Sequence, residues 1–452
     1  MKIKLKKGLN LNIEGALENF KDVESISARR CALVPDDYPG FTPKVDVKPG
    51  DSVKIGTALM HDKTQPDLRL VSPLAGTVVE VNRGDRRKLL SVVVEASDSQ
   101  EFEQYDADAA SAAGADSLRS MLGRSGLLAL LRERPYDIVP RIDSSEPVRD
   151  IFVTAIDSSP LAAPMLSGLE DTANKAVLES GIKALSALTS GKVYVSVAPG
   201  FPFGELKGAE MVEVEGPHPA GLVGSQIAAI APINKGERVW TLDLTALYRI
   251  GYLMRTGRVL SEAVVALVGP EVEKPGLVRI AVGASMEEIL RGRLRNSGRH
   301  QRVVSGNVLT GVAVDAAKGF LRYPYRQVTV IAEGDDVDEF MGWASFSPFK
   351  MSTSTSFPGH FLGKLFAPDA RLNGGRRAMI MSGQYDKYVD LDIMAEYLLK
   401  AIISRNIDDM EKLGIYEVAP EDFALAEYAD TSKLPLQQIV RDGLDYLRKE
   451  LE

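Results

Sequence analysis

The run Gly216-Pro217-His218-Pro219-Ala220-Gly221-Leu222-Val223-Gly224 sets two prolines and three glycines around one histidine. Proline fixes the local chain direction, glycine opens the backbone, and an imidazole donates or accepts a proton near neutrality. Such a run predicts a rigid turn with exposed backbone beside an adjustable hydrogen-bonding group. Its bland counterpart is a strand-to-helix turn whose histidine bonds only to backbone. From Trp343 to Phe366, a second candidate interleaves Trp343, Phe346, Phe349, Phe357, Phe361 and Phe366 with serine and threonine. The spacing is too irregular for one helix and too aromatic for an ordinary loop. Ring burial supplies much of an interface's energy, so this run fits a docking surface, and interdomain packing fits it equally well.

Other reactive groups are scarce. The four histidines, His61, His218, His300 and His360, are too scattered for a zinc motif, so no metal site is expected. Cys31 is the one cysteine, which excludes an internal disulfide and a conventional iron–sulfur cluster held by this chain alone. Arg29 and Arg30 beside it would favour a thiolate, but Cys31-Ala32-Leu33-Val34 reads as the start of a buried strand. Ser225 lacks the flanking residues of a nucleophile elbow. Arg291, Arg293, Arg295, Arg299 and Arg302 form a cationic segment, read as a solvated face or a contact with another protein.

These residues need scaffolds. With 452 residues, the chain exceeds one ordinary core and implies three or four domains. A net charge of −8 argues against a general nucleic-acid binder and for protein partners. No apolar run approaches the roughly 18 residues needed to cross a bilayer, and no secretory signal follows the lysine-rich start, so a cytoplasmic location is expected. Between Pro49 and Glu95, turn residues alternate with β-prone runs: Pro49-Gly50-Asp51 before Val53 and Ile55, and Ser72-Pro73 before Leu74 to Val79. A small flattened barrel follows, with Arg83 to Lys88 as a cationic hairpin tip facing water or a partner. Biotin- and lipoate-carrying domains resemble this segment. Lys63 is the nearest carrier lysine, yet its neighbours His61, Asp62 and Thr64 and the long Gln65-Pro66-Asp67 connection favour an unmodified scaffold.

Ser97 to Asp116, poor in large apolar residues, reads as a surface linker. Ile151 to Ile156, a helix from Ala173 capped by Asp171 or Thr172, and Val193 to Val197 make a strand–helix–strand unit, hence a parallel sheet. Strands over Val264–Val268, Leu277–Val282 and around Val303, with a capping box at Ser285-Met286-Glu287-Glu288, predict a β-grasp. Apolar stripes at Ile393, Met394, Tyr397, Leu398, Ala401 and Ile402, and at Leu436, Ile439, Val440, Leu444, Leu447 and Leu451, predict a helical bundle. The fold class is thus multidomain α/β. Its expected domains are a barrel-sandwich (biotinyl/lipoyl-like) domain at 1–100, a Rossmann-like parallel α/β domain at 117–256, a β-grasp SLBB domain at 257–330 and a mainly helical domain at 331–452.

This order resembles the hydrophilic A subunit of the bacterial Na+-translocating NADH:quinone oxidoreductase (Na+-NQR), and more distantly the C subunit of Rnf complexes and the flavin-binding subunit of complex I. The resemblance rests on Leu5 to Asn10, on Pro73 to Val79 with Asn82-Arg83-Gly84, on Gly216 to Leu222, and on Gly359-His360-Phe361 with Lys364-Leu365-Phe366. It implies a peripheral protein on the inner face of the bacterial inner membrane. NADH, FAD, FMN, riboflavin, iron–sulfur and quinone chemistry would be carried by other subunits of the complex, leaving this chain without a cofactor. The implied partners are those subunits, chiefly the membrane flavin-carrying B subunit, with ubiquinone or menaquinone as the ligand to be shaped or shielded. Contact would fall to Gly216, Pro217, His218, Pro219 and Gly221, and to Phe357, His360 and Phe361. The flavin-phosphate loop of complex I corresponds to Gly123-Arg124-Ser125-Gly126, where leucines follow two surviving glycines and a vestigial site is expected. The cluster cysteines of related proteins would lie where Ala426, Asp430 and Ser432 stand. Two rivals are a stand-alone flavin- or dinucleotide-binding oxidoreductase and a lipoyl-like carrier using Lys63.

Overall fold

The computed structural model describes residues 1–143, 147–169, 171–336, 347–355 and 357–451. Trp343 and Phe346, which open the aromatic run, lie outside the described residues.

Two small antiparallel sheets form the barrel. One orders Arg30–Leu33, Leu89–Ala96, Gly76–Arg83 and Ser52–Val53; the other orders Pro43–Val45, Ala58–Asp62 and Arg69–Val71. Alternation along these strands turns Met60, Leu70, Val78, Val92 and Val94 inward, and Leu59 is buried as well where the pairing shifts register between Ala58 and Met60, each at most 2% exposed. Arg86 and Arg87 sit exposed at the hairpin tip, as the charge pattern predicts. Cys31 is buried and burial pushes its thiol pKa well up, which fits packing rather than reactivity. Lys63 is exposed on a turn that the buried Asp62 carboxylate organises by accepting from the N–H groups of Thr42, Thr64 and Gln65.

A six-stranded sheet follows the order Lys2–Lys4, Glu210–Glu215, Val193–Val197, Ile151–Thr154, Val239–Asp243 and Arg132–Arg134. Its first five strands are parallel and the sixth is antiparallel. The strand–helix–strand unit is present, with its helix at Ala173–Ser186. A second mixed sheet orders Val312–Val314, Gln301–Ser305, Gln327–Ala332, Glu262–Val268, Gly276–Ala281 and Val23–Ser25. Its central pair is parallel, as in a β-grasp. The N-terminal 25 residues therefore lend one strand to each of the two large sheets before the barrel begins.

Several expectations need correcting. Within the supposed linker, Asp106 caps a helix at Ala107–Ala112 by accepting from the Ala109 N–H, and Ala115–Arg124 forms another; small Ala107 and Ala110 bury where no large side chain announced a core. No capping box forms at Ser285, because Glu288 accepts instead from the Arg29 backbone N–H. In the helix Ala395–Ile403 the buried side chains include Leu398, Leu399 and Ile402, whereas Met394 and Tyr397 are exposed: the apolar stripe is rotated from the expected one. The C-terminal helices begin at Ala395; described residues 347–394 hold only short 3-10 turns. Their core joins Leu398, Leu399, Met410, Phe423, Val440 and Leu444.

Buried Arg134 fastens this bundle to the parallel sheet. It reaches Glu421 at 3.0 Å, Asp422 at 3.4 Å and Asp137 at 3.7 Å.

Candidate functional site

In the parallel sheet the chain steps from Ile151–Thr154 through Val193–Val197 to Glu210–Glu215 on one side, then places Val239–Asp243 on the other. The carboxyl ends of Ile151–Thr154 and Val239–Asp243 therefore flank the switch point, where open α/β sheets receive ligands. Arg326 from the β-grasp domain spans it, 3.6 Å from Asp157 and 4.0 Å from Asp243.

One flank is the Gly216–Gly224 loop. It is a strand-to-helix turn, running from Glu210–Glu215 into the helix Val223–Ile230. Gly216 is exposed and Pro217 half-buried, but His218, Pro219 and Gly221 are buried, so the expected exposed backbone is instead occupied. The His218 N–H donates to Asn10 Oδ1 at 2.9 Å, and its carbonyl accepts from the Leu9 N–H at 2.8 Å. Gly221 has to be glycine: a Cβ there would lie 2.5 Å from the Ser158 nitrogen. Its N–H donates to Ser158 Oγ at 2.7 Å, and that oxygen lies 3.1 Å from His218 Nδ1. The other ring nitrogen, Nε2, is buried without a partner among the described residues. Burial lowers the His218 pKa to about 4, against the opposing pull of Asp157 and Ser158, so the ring is neutral at pH 7.

The second flank is a cleft of about 90 Å³ where the barrel, the parallel sheet and the β-grasp meet. Ser125 and Gly126 line it, as do Asp243, Arg249, Arg322 and Tyr323. Gly123 and Gly126 serve packing against the barrel: a Cβ on Gly123 would lie 2.8 Å from the Asp67 carbonyl oxygen, and one on Gly126 would lie 3.1 Å from Val71. Exposed Arg124 ends the helix Ala115–Arg124, so the chain here presents a helix C-terminus, whose carbonyls disfavour an anion.

The aromatic run lies elsewhere. Phe357 is half-buried and His360 exposed; Phe361 is 70% exposed and Phe349 74%. Lys364 Nζ sits 3.9 Å from the centre of the Phe349 ring, and Leu362 and Leu365 are exposed beside it. The N-terminal segment joins the two predicted sites: Leu9 bonds to His218, and Glu14 bonds to Phe366.

Residues 3–97 match the NqrA N-terminal barrel-sandwich hybrid domain, 113–259 the NqrA second alpha/beta domain and 264–316 the NQRA C-terminal domain. The chain is 37% identical over 453 residues to the A subunit of the Na(+)-translocating NADH-quinone reductase of Vibrio anguillarum, covering 99% of this chain and 100% of that one. The corresponding protein of Neisseria meningitidis serogroup B is likewise 37% identical over 453 residues, with 99% and 100% covered. This chain belongs to the NqrA family, the A subunits of the Na+-translocating NADH-quinone reductase. A NAD+-reducing [NiFe]-hydrogenase in the H2-reduced state covers 49% of this chain and 47% of its own at 11% identity and a TM-score of 0.35, too remote to argue from.

Within this NqrA fold, Asp430 stands where cluster cysteines would be expected. It is buried and holds a turn, accepting from Tyr385 Oη at 2.9 Å and from the N–H groups of Ser432 and Leu434. Among the described residues no three His, Cys, Asp or Glu side chains converge as metal ligands, and no helix is long and apolar enough to cross a membrane. Sequence reasoning missed Ser158, Asp243 and Arg326, because they meet their counterparts across long stretches of chain, 60 residues between Ser158 and His218, and it missed Arg249, whose cleft is lined from several separate stretches. The available signal was the Asp243 N-cap of a long amphipathic helix, whose start at a strand end marks a switch point.

Proposed function

We propose that this chain is the peripheral, cytoplasmic-face component of a respiratory complex coupling NADH oxidation by quinone to Na+ export. It carries no cofactor, docks on the membrane flavin-carrying B subunit of that complex and shields the quinone site. Full-length similarity to the NqrA relatives supports the assembly. The observation that carries the docking role is the exposed run Phe361, Leu362 and Leu365 with exposed Phe349 set against Lys364 of the same run, since adjoining exposed apolar side chains mark interaction surfaces. The Rossmann-like and helical domains act as scaffold. His360 and Phe361, whose rings are exposed, take the ubiquinone or menaquinone contact together with half-buried Phe357. Gly216, Pro217, His218, Pro219 and Gly221 hold the N-terminal segment in place behind them.

The packing glycines and helix C-terminus at Gly123, Arg124 and Gly126 support a vestigial phosphate loop, and the Asp62-built turn supports Lys63 as unmodified. Co-purification tests the reading. The double variant F349A/F361A should lose the membrane flavoprotein while the wild-type chain retains it; equal retention would refute docking through this cluster.

A further inference from the structure

The cleft at the three-domain junction contains a buried cation with no ion-pair partner among the described residues. Arg249 is 7% exposed, its Nη2 donates to the Glu262 carbonyl at 3.1 Å, and its Nε has no partner among those residues. Beside it on the same helix, the buried Thr245 Oγ1 is also without one. Both residues line the cleft. A guanidinium withdrawn from water is unfavourable unless a counter-charge and hydrogen bonds compensate it.

The other charges in the lining are matched. Asp37 takes Arg322 at 2.6 Å and the Tyr323 N–H at 3.1 Å. Asp243 takes the Ala246 N–H at 2.7 Å and faces Arg326 at 4.0 Å. Of the three guanidiniums in the lining, Arg322 is paired with Asp37 and Arg326 with Asp157 at 3.6 Å and Asp243 at 4.0 Å, while Arg249 has no carboxylate within 4 Å among the described residues. The remaining wall is mainly apolar, with Leu33, Leu70, Leu127 and Leu321 beside the stacked rings of Tyr38 and Tyr323, whose centres are 5.0 Å apart, and with Ser72, Ser125 and Ser261 among them.

We infer that this cleft binds a small monoanionic carboxylate with an apolar body, its carboxylate on Arg249 and Thr245 and its body against the leucines and tyrosines. A planar guanidinium fork suits a carboxylate, and one unpaired guanidinium with the Asp37 and Asp243 carboxylates in the same lining suits a monoanion better than a phosphate dianion. This site is independent of the docking reading and uses neither the aromatic cluster nor the His218 loop.

Titration calorimetry of the full chain with benzoate and with inorganic phosphate tests it. Benzoate should bind the wild-type chain, more tightly than phosphate does. R249M, which keeps the packing volume, should weaken benzoate about tenfold or more, as expected for loss of a charge-assisted bond. Absence of benzoate binding, equal binding to R249M, or tighter binding of phosphate would overturn the assignment. Should R249M fail to fold, T245V carries the test: weaker benzoate binding is expected, and unchanged affinity would overturn it.

Discussion

A buried imidazole that stays neutral makes stability depend on pH. The unfolded chain protonates His218 near its ordinary pKa of 6.5, whereas the folded protein resists until about 4. Below pH 6.5 the unfolded state therefore binds more protons, and stability falls as pH drops through that window, by about 3 kcal/mol in all. Replacing His218 with glutamine should flatten this acid limb between pH 6.5 and 4 in urea melts; an unchanged slope would show that the ring is not the titrating group. Gly221→Ala forces a Cβ to within 2.5 Å of the Ser158 nitrogen and should destabilise by about 1–3 kcal/mol, read from the urea midpoint. Sequence composition made both residues visible, since prolines and glycines crowd around one histidine. That the turn faces inward was not visible, because its partners, Asn10 and Ser158, are 208 and 60 residues away.

Elements whose periodicity comes from local burial were legible: the strands at Ile151–Thr154 and Val193–Val197, the intervening helix and the barrel hairpin. Where burial depends on a distant surface, the reading failed. Met394 and Tyr397 share a stripe with Leu398 in sequence, yet packing against Leu436–Leu451 turns Leu399 inward and leaves those two outside. The short edge strands Lys2–Lys4 and Val23–Ser25 carry too little pattern to announce partners more than 200 residues away. Attachment of the C-terminal bundle depends on another long-range pairing, Arg134 with Glu421 and Asp422. Arg134→Met would strand a buried Asp422 carboxylate and should cost about 3–5 kcal/mol. Limited proteolysis should then release the bundle first; a cleavage pattern like that of the wild type would place its anchor elsewhere.

For the whole molecule, a barrel-sandwich start followed by mixed α/β and helical parts was readable because strands repeat apolar residues every second position and helices every third or fourth, while the three-domain cleft was not, since no contiguous stretch contains it. The N-terminal segment ties the parallel sheet, the β-grasp and the aromatic cluster together, so the protein presents that cluster from a connected scaffold. Purified alone, the chain should be colourless and should not oxidise NADH; a stoichiometric flavin spectrum would favour a stand-alone oxidoreductase. The most direct measurement places a photo-crosslinking residue at position 361 and irradiates native membranes. A crosslink to the membrane flavin-carrying protein of the complex is the expected result, and one formed only from a control position on the barrel hairpin tip, such as Arg86, would contradict docking through the aromatic cluster.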